Sequence, residues 1–289
     1  MTDGSTDRVS VSEVSSWGWS LEEDLSYYET AGITNVGIAF RKLEATGDAI
    51  EAARRVRETG LRVTNLLVPG PFTLGRPDQW DDQRSHAGVV MDTALALRPE
   101  VLVFTTGAAG QLAWERAADA FEEVMRHTFA EAEREQIPVA IEHTNALRTD
   151  VGFVHTLRDA VELAWRLGTG VCLEVNACWA ERNLAGTITA GIDAISLVQL
   201  SDYAIGTKST PDRLVPGDGD IPLARIVRQL VDAGYAGAFD IEIIGPRIEE
   251  EGYERAIARA IAHVEALLAP PEDGEEGDSE PAGSAMDET

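Results

Sequence analysis

Eight short runs of β-branched and apolar residues, separated by longer stretches with helical spacing, constrain this chain more than any other feature. The runs are Arg8–Val14, Asn35–Phe40, Arg62–Val68, Val101–Thr105, Pro138–Glu142, Val171–Val175, Ser196–Leu200 and Phe239–Ile243. Short strands alternating with helices are the pattern of parallel βα units. In the stretch Gly47–Thr59, Ala49, Ile50, Ala53 and Val56 share one helical face, while Glu51, Arg54, Arg55 and Arg57 fall on the other. Further helices are expected over Ser85–Leu97, Ala113–Gln136, Leu157–Leu167, Ile188–Ala194, Leu223–Ala233 and Tyr253–Leu268. Several close on a glycine just before the next strand (Gly32, Gly60, Gly168, Gly234), where the chain must turn back sharply. Eight such units predict a single-domain (β/α)8 TIM barrel, and 289 residues suit a fold that needs about 250. An open doubly wound sheet would carry a G-x-G-x-x-G after a strand, and none follows any of the eight.

The barrel is expected over residues 1–270. After Pro271 the chain reads PEDGEEGDSEPAGSAMDET, acidic and almost without apolar side chains, so residues 271–289 are expected to be a disordered tail. The net charge of −26 leaves an acidic surface on the body as well, which repels phosphate backbones and argues against nucleic acid as a partner. The polar, acidic start MTDGSTDRVSVS does not read as a secretory signal, and no stretch reaches the ~18 apolar residues of a membrane span. Cys172 and Cys178 are too few and too close for a disulfide framework. A cytoplasmic protein acting on a small molecule, with no membrane partner, is the expectation.

Barrel strands are buried, so a carboxylate inside one needs a reason. Glu142 in VAIEHTN, Glu174 in VCLEVNA, Gln199 in LVQLSD and Glu242 in FDIEIIG occupy equivalent late positions of the last four strands. Late positions line the C-terminal mouth, where barrels of this kind carry their sites. Three carboxylates brought so close need positive charge among them. All-oxygen donors favour Mg2+ or Mn2+ as that charge. A salt-bridged cluster with a neighbouring Arg or Lys is the other way to balance them.

With these residues in view, the sequence resembles the xylose isomerase-like superfamily of sugar isomerases and epimerases. The likeness runs from the first strand to the helix after Tyr253. It is most specific in Gln199-Leu200-Ser201-Asp202, Pro216-Gly217-Asp218-Gly219-Asp220-Ile221-Pro222, Ala233-Gly234-Tyr235 and Glu242, while Ile141-Glu142-His143-Thr144-Asn145 is similar to the family's strand-five element. The resemblance implies a divalent-metal site on Glu142, Glu174, Gln199 and Glu242. It also implies that Glu142 and Glu242 are the catalytic acid/base pair, moving a proton next to the carbonyl of a ketose- or inositol-like hydroxy-ketone through an enediolate. Gln199 stands where many members have His, although the hydroxypyruvate isomerases and dehydroshikimate dehydratases are similar to it in using Gln, and Glu174 stands where Asp is usual. The strand-six His is replaced by Ala177, which removes support from a dehydratase or other lyase, including one cleaving oxidised glycosides. A barrel that binds a ligand without catalysis is the third reading. Members of the family are often oligomers, so a homo-oligomer is a further implication.

Residues close behind strands are candidates for substrate contacts: Trp17, Trp19, Phe72, Trp114 and Trp179, whose aromatic faces stack on sugars, with Asn176 behind strand six. Lys208, in the long loop after strand seven, could approach an anionic group, and Arg247 could pair with Glu174 or reach substrate. His143 adjoins Glu142 and so should point away from the barrel axis. His86, His127, His155 and His263 read as surface or packing residues on helical stretches.

Overall fold

The computed structural model describes residues 6–70 and 72–269, so the acidic tail expected over 271–289 lies outside the described residues. Eight parallel strands close into a barrel in chain order: β1 (Val9–Ser12), β2 (Asn35–Ala39), β3 (Arg62–Val68), β4 (Val101–Thr105), β5 (Val139–Glu142), β6 (Gly170–Glu174), β7 (Ile195–Leu200) and β8 (Phe239–Ile241). β8 pairs back onto β1 through Val9–Phe239, Ser10–Asp240 and Val11–Ile241, which closes the ring and excludes the open sheet.

The amphipathic stretches become the return helices. Leu157–Leu167 and Tyr253–Leu268 match the sequence expectation, and the helix expected over Gly47–Thr59 spans Ala49–Glu58 with Asp48 accepting the Glu51 N–H at its start. Two boundaries differ. The helix expected from Ser85 begins at Trp80, because Asp81 and Asp82 suit the electropositive first turn. The one expected over Ile188–Ala194 runs instead over Leu184–Gly191 and tightens into a 3-10 turn at Ile192–Ala194. A further helix, Leu21–Ala31, opens with a capping box in which Ser20 and Glu23 bond each other's backbone N–H. It ends on Gly32 at φ +70, a conformation open to glycine at little cost.

Side chains alternate across the strands. Val11, Ile38, Leu66, Phe104, Ile141 and Phe239 pack outward against the helices. A separate apolar cluster fills the barrel, with Leu67, Val103, Ala140, Cys172, Leu197 and Ala238 among its members. The C-terminal ends of β5 to β8 sit above this plug. The register pairs Thr105 with Glu142, Glu142 with Cys172 and Glu174 with Gln199, so these side chains point the same way, into the mouth.

Candidate active site at the barrel mouth

Four of the sequence-predicted residues meet there. Glu142, Glu174, Gln199 and Glu242 are 6%, 1%, 0% and 4% exposed, although all four are polar. The cation that balances them within the chain is Arg213, which the sequence reading did not single out. Its Nη1 donates to Glu242 Oε1 at 2.6 Å and to the Glu242 carbonyl at 2.9 Å, and its Nη2 reaches Glu174 Oε2 at 3.3 Å. Gln199 Nε2 donates to Glu242 Oε2. Glu174 Oε1 accepts the Asn176 N–H at 3.0 Å, at the start of the short helix Val175–Cys178.

Arg213 arrives from the long loop after β7, and the Ser201-Asp202 and Pro216–Pro222 motifs hold it in place. The Asp202 carboxylate accepts four backbone N–H groups, from Tyr203 and Ile221 on Oδ1 and from Gly217 and Gly219 on Oδ2. A Cβ on Gly219 would come within 2.4 Å of Asp202 Oδ1, so the close approach requires glycine there. Leu214 exchanges backbone hydrogen bonds with Asp202, and the Arg213 N–H bonds the Ile244 carbonyl. The arginine is thereby fixed between the ends of β7 and β8.

The electrostatics follow from burial. The Glu142 carboxyl is pushed well above the usual carboxylate range by burial first and then by Glu242 and Glu174. Burial also raises Glu174, to about 7, against the pull of Arg213. For Arg213 burial opposes the charge, but Glu174, Glu242 and Glu142 outweigh it and hold the guanidinium protonated. One layer deeper Asp240, two residues before Glu242 on the same face, is raised to about 7 by burial and accepts a bond from Asn65 at 3.0 Å.

Three carboxylates against one guanidinium leave two negative charges unbalanced if all are ionised. Two buried oxygens, Glu142 Oε2 and Gln199 Oε1, have no hydrogen-bond partner. As the side chains stand, no three His, Cys, Asp or Glu among the described residues are spaced to cage a cation; the Gln199 amide and the Arg213 guanidinium engage the carboxylates instead. The donor set itself fits a hard divalent ion in its all-oxygen chemistry, its surplus charge and its two unpartnered oxygens.

A cavity of about 320 Å³ opens onto this cluster. Glu142, Glu174, Asn176 and Arg213 form its polar floor, and Val14, Trp17, Leu67 and Ile244 contribute apolar wall. Gln199 and Glu242 do not reach the wall; Glu242 is bonded to Arg213, which does. A larger depression of about 600 Å³ lies at the other end of the barrel, near Pro138 and Thr169, away from the carboxylates.

Of the predicted contacts, the structure brings Trp17 and Asn176 to the cavity and leaves the others outside it. Trp19 stacks edge-on against Tyr27 and Tyr253 on the flank. Phe72 is 3% exposed and packs on Phe104 and Phe121. Trp114 packs on Phe153, and Trp179 rests against the outer core. Lys208 is solvent-exposed in its loop, and Arg247 pairs with Asp212 at 3.6 Å rather than with Glu174. His143 is fully buried, its Nε2 accepting the Glu174 N–H, and burial lowers its pKa to about 3. His155 lies before its helix, not on it, and contacts the Thr144 carbonyl.

A closed (β/α)8 barrel with buried acids and a bridging arginine at its C-terminal mouth is the class that fold and site define. Within that class, the chain belongs to the xylose isomerase-like TIM barrel family, whose model matches residues 26–263. No curated protein matches the sequence. Among solved structures, protein SMc04130 from Sinorhizobium meliloti 1021 is 26% identical, with a TM-score of 0.79 over 91% of this chain and 98% of that one. An IolI protein with a binding zinc atom is 18% identical, with a TM-score of 0.76 over 90% and 98%. The 3-keto-D-glucoside 4-epimerase YcjR from E. coli is 16% identical, with a TM-score of 0.67 over 88% and 99%. No helix among the described residues is long and apolar enough to cross a membrane.

Proposed function

We propose that this chain is a sugar isomerase or epimerase that moves a proton on the carbon beside a carbonyl of a hydroxy-ketone. The observation that carries the reading is the convergence of Glu142, Glu174, Gln199, Glu242 and Arg213 under one cavity. Glu142 lines that cavity, one of its oxygens is buried without a hydrogen-bond partner, and among the described residues no salt bridge holds it charged. Burial favours its protonated form until a bound cation displaces the proton. Glu242 stands behind Arg213, which donates to its Oε1 at 2.6 Å. A substrate oxygen that takes over the Arg213 N–H groups would release Glu242 to accept a proton. The two acids thus stand in different settings, Glu142 lining the cavity and Glu242 bonded to the arginine, which suits two different roles in a proton transfer.

Glu142, Glu174, Gln199 and Glu242 would hold a divalent cation, Mg2+ or Mn2+ by their donor chemistry, and such an ion polarises a carbonyl. The zinc named for the IolI neighbour and the epimerase activity named for YcjR support this reading of the shared barrel. The test is solvent-deuterium exchange beside the carbonyl across a panel of ketoses, followed by NMR. Glu142→Gln and Glu242→Gln should each lower the exchange rate by roughly 10²-fold or more while the circular dichroism is retained. Wild-type exchange that survives both substitutions would overturn the assignment.

A further inference from the structure

Glu242 differs from the other three members of the cluster in how its backbone is held. Glu142, Glu174 and Gln199 lie inside β5, β6 and β7, where the ladder fixes them. β8 ends at Ile241, one residue before Glu242, and its pairing with β1 stops at Val11 and Ile241. Beyond Ser12 the chain leaves β1 for the turn Glu13–Ser16, so the ladder does not continue past Glu242 on that side.

A side chain takes the ladder's place there. Ser15, fully buried, donates its hydroxyl to the Ile241 carbonyl at 2.9 Å and accepts the Ile243 N–H at 3.1 Å. On the other side the Glu242 N–H bonds the Leu200 carbonyl at 3.0 Å, and the Glu242 carbonyl accepts Arg213 Nη1 at 2.9 Å. The two peptide planes that meet at the Glu242 Cα are therefore each held at both N–H and C=O, and Ser15 supplies one bond to each. With both planes fixed, φ and ψ at Glu242 are fixed, and so is the direction in which its side chain leaves the backbone. One atom that both donates and accepts makes the two bonds, which is the chemistry of a hydroxyl. An alanine here would leave a buried carbonyl and a buried N–H without their partner. Ser15 is itself held, because in the same turn the Ser12 hydroxyl accepts the Val14 N–H and Glu13 accepts the Ala39 N–H.

We infer that Ser15 is a positioning residue for Glu242: it stitches the turn after β1 to both peptide planes around that carboxylate and so sets where the acid points. The inference rests on the proposed function for the part Glu242 plays in the reaction, but not for the stitch itself. Ser15 does not line the cavity and acts through the backbone beyond β8 rather than on a substrate.

The experiment compares Ser15→Ala with Thr106→Val on the full chain. Thr106 is a matched reference, since its buried hydroxyl also bonds two backbone N–H groups, those of Phe153 and Val154, between the loops after β4 and β5. Three readouts are followed: the amide exchange rate of Ile243, the carboxyl carbon NMR signal of Glu242, and kcat and KM for deuterium exchange into a ketose. In Ser15→Ala the Ile243 amide should exchange at least roughly tenfold faster than in Thr106→Val, and the Glu242 signal should shift. The kcat should fall roughly tenfold while KM stays within about threefold, the split expected when a proton-transferring group is misplaced. Thr106→Val should leave the Ile243 amide, the Glu242 signal and kcat near their wild-type values. Should Ser15→Ala not fold, Ser15→Cys gives the same comparison, because a thiol donates and accepts only weakly. If the wild type exchanges no deuterium into any ketose, the proposed reaction fails, and the two NMR readouts still decide the positioning. An unshifted Glu242 signal in the Ser15 variant, or a kcat unchanged from wild type, would overturn it, because the two bonds would then serve the fold alone.

Discussion

The molecule buries charge in two places, and it balances them differently. Near the start of the barrel, Lys42 reaches Asp24 and the Ser16 carbonyl, Ser16 bonds Asp24, and Glu13 accepts the Ala39 N–H. Two acids there face one ammonium, all three are buried, and none of them lines the cavity at the mouth. A single proton on Glu13, whose carboxyl is pushed up to about 8 by burial and then by Asp24, removes the surplus. At the mouth three acids face one guanidinium, and a cavity of about 320 Å³ is lined by Glu142, Glu174 and Arg213; unpartnered buried oxygens occur in both clusters, Glu13 Oε1 in the first and Glu142 Oε2 and Gln199 Oε1 in the second. The first cluster is a clamp that ties the turn Glu13–Ser16, and with it Trp17, to the helix Phe40–Ala45. The second is left incomplete where a ligand can reach it. Neither burial nor an unpartnered oxygen distinguishes a structural ion cluster from a site; a cavity lined by the charged groups does.

The largest expected effect breaks the clamp. Lys42→Met leaves Asp24 buried without its cation and should cost about 3–5 kcal/mol of stability in a urea unfolding titration. Arg213→Met should cost less than half of that, because Glu142 and Glu174 line the cavity and burial already favours their protonated forms. Equal losses would erase the distinction between the two clusters.

A second test separates them by pH. The folded chain holds a proton on Glu13 that the unfolded chain releases above about 4.5. Stability from this group is therefore fully present below pH 4.5 and is lost as pH rises through about 8. Glu13→Gln keeps an oxygen for the Ala39 N–H and should make the decline in stability over that window shallower by roughly 1 kcal/mol per pH unit. Parallel wild-type and variant curves would contradict the assignment of the proton to Glu13.

The smallest effect concerns the aromatic residues. Trp17→Ala should raise KM for a turned-over ketose roughly tenfold, whereas Trp19→Ala should change it by less than about twofold. The reverse order would mean that the wall of the site has been misplaced.

Much of this was legible in the sequence, for physical reasons that also mark where legibility ends. Parallel strands buried on both faces must be nearly continuous apolar runs, so all eight stand out and Glu142, Glu174, Gln199 and Glu242 are conspicuous as polar residues inside them. Arg213 carries no such contrast. It is one charged residue in a polar loop, and its place depends on four backbone bonds to Asp202 that no periodicity reveals. Trp19, Phe72, Trp114 and Trp179 follow strands as closely as Trp17 does, but sequence distance from a strand end does not say whether a ring turns inward or packs between helices. Asp240 was overlooked because its acidic neighbour Glu242 sits two residues on and faces the same interior. Lys42 and Asp24 belong to different helices, and only the packing shows them meeting.

The proposal most directly open to test is that a divalent ion binds the mouth cluster, where three ionised acids against one guanidinium would lack two positive charges. Calorimetric titration of the metal-stripped chain with Mn2+ measures this directly. The account predicts one ion bound per chain, with protons released from the acids that burial keeps neutral, and binding weakened by at least about tenfold in Glu174→Gln. No association with Mn2+ or Mg2+, or association unchanged by that substitution, would contradict it.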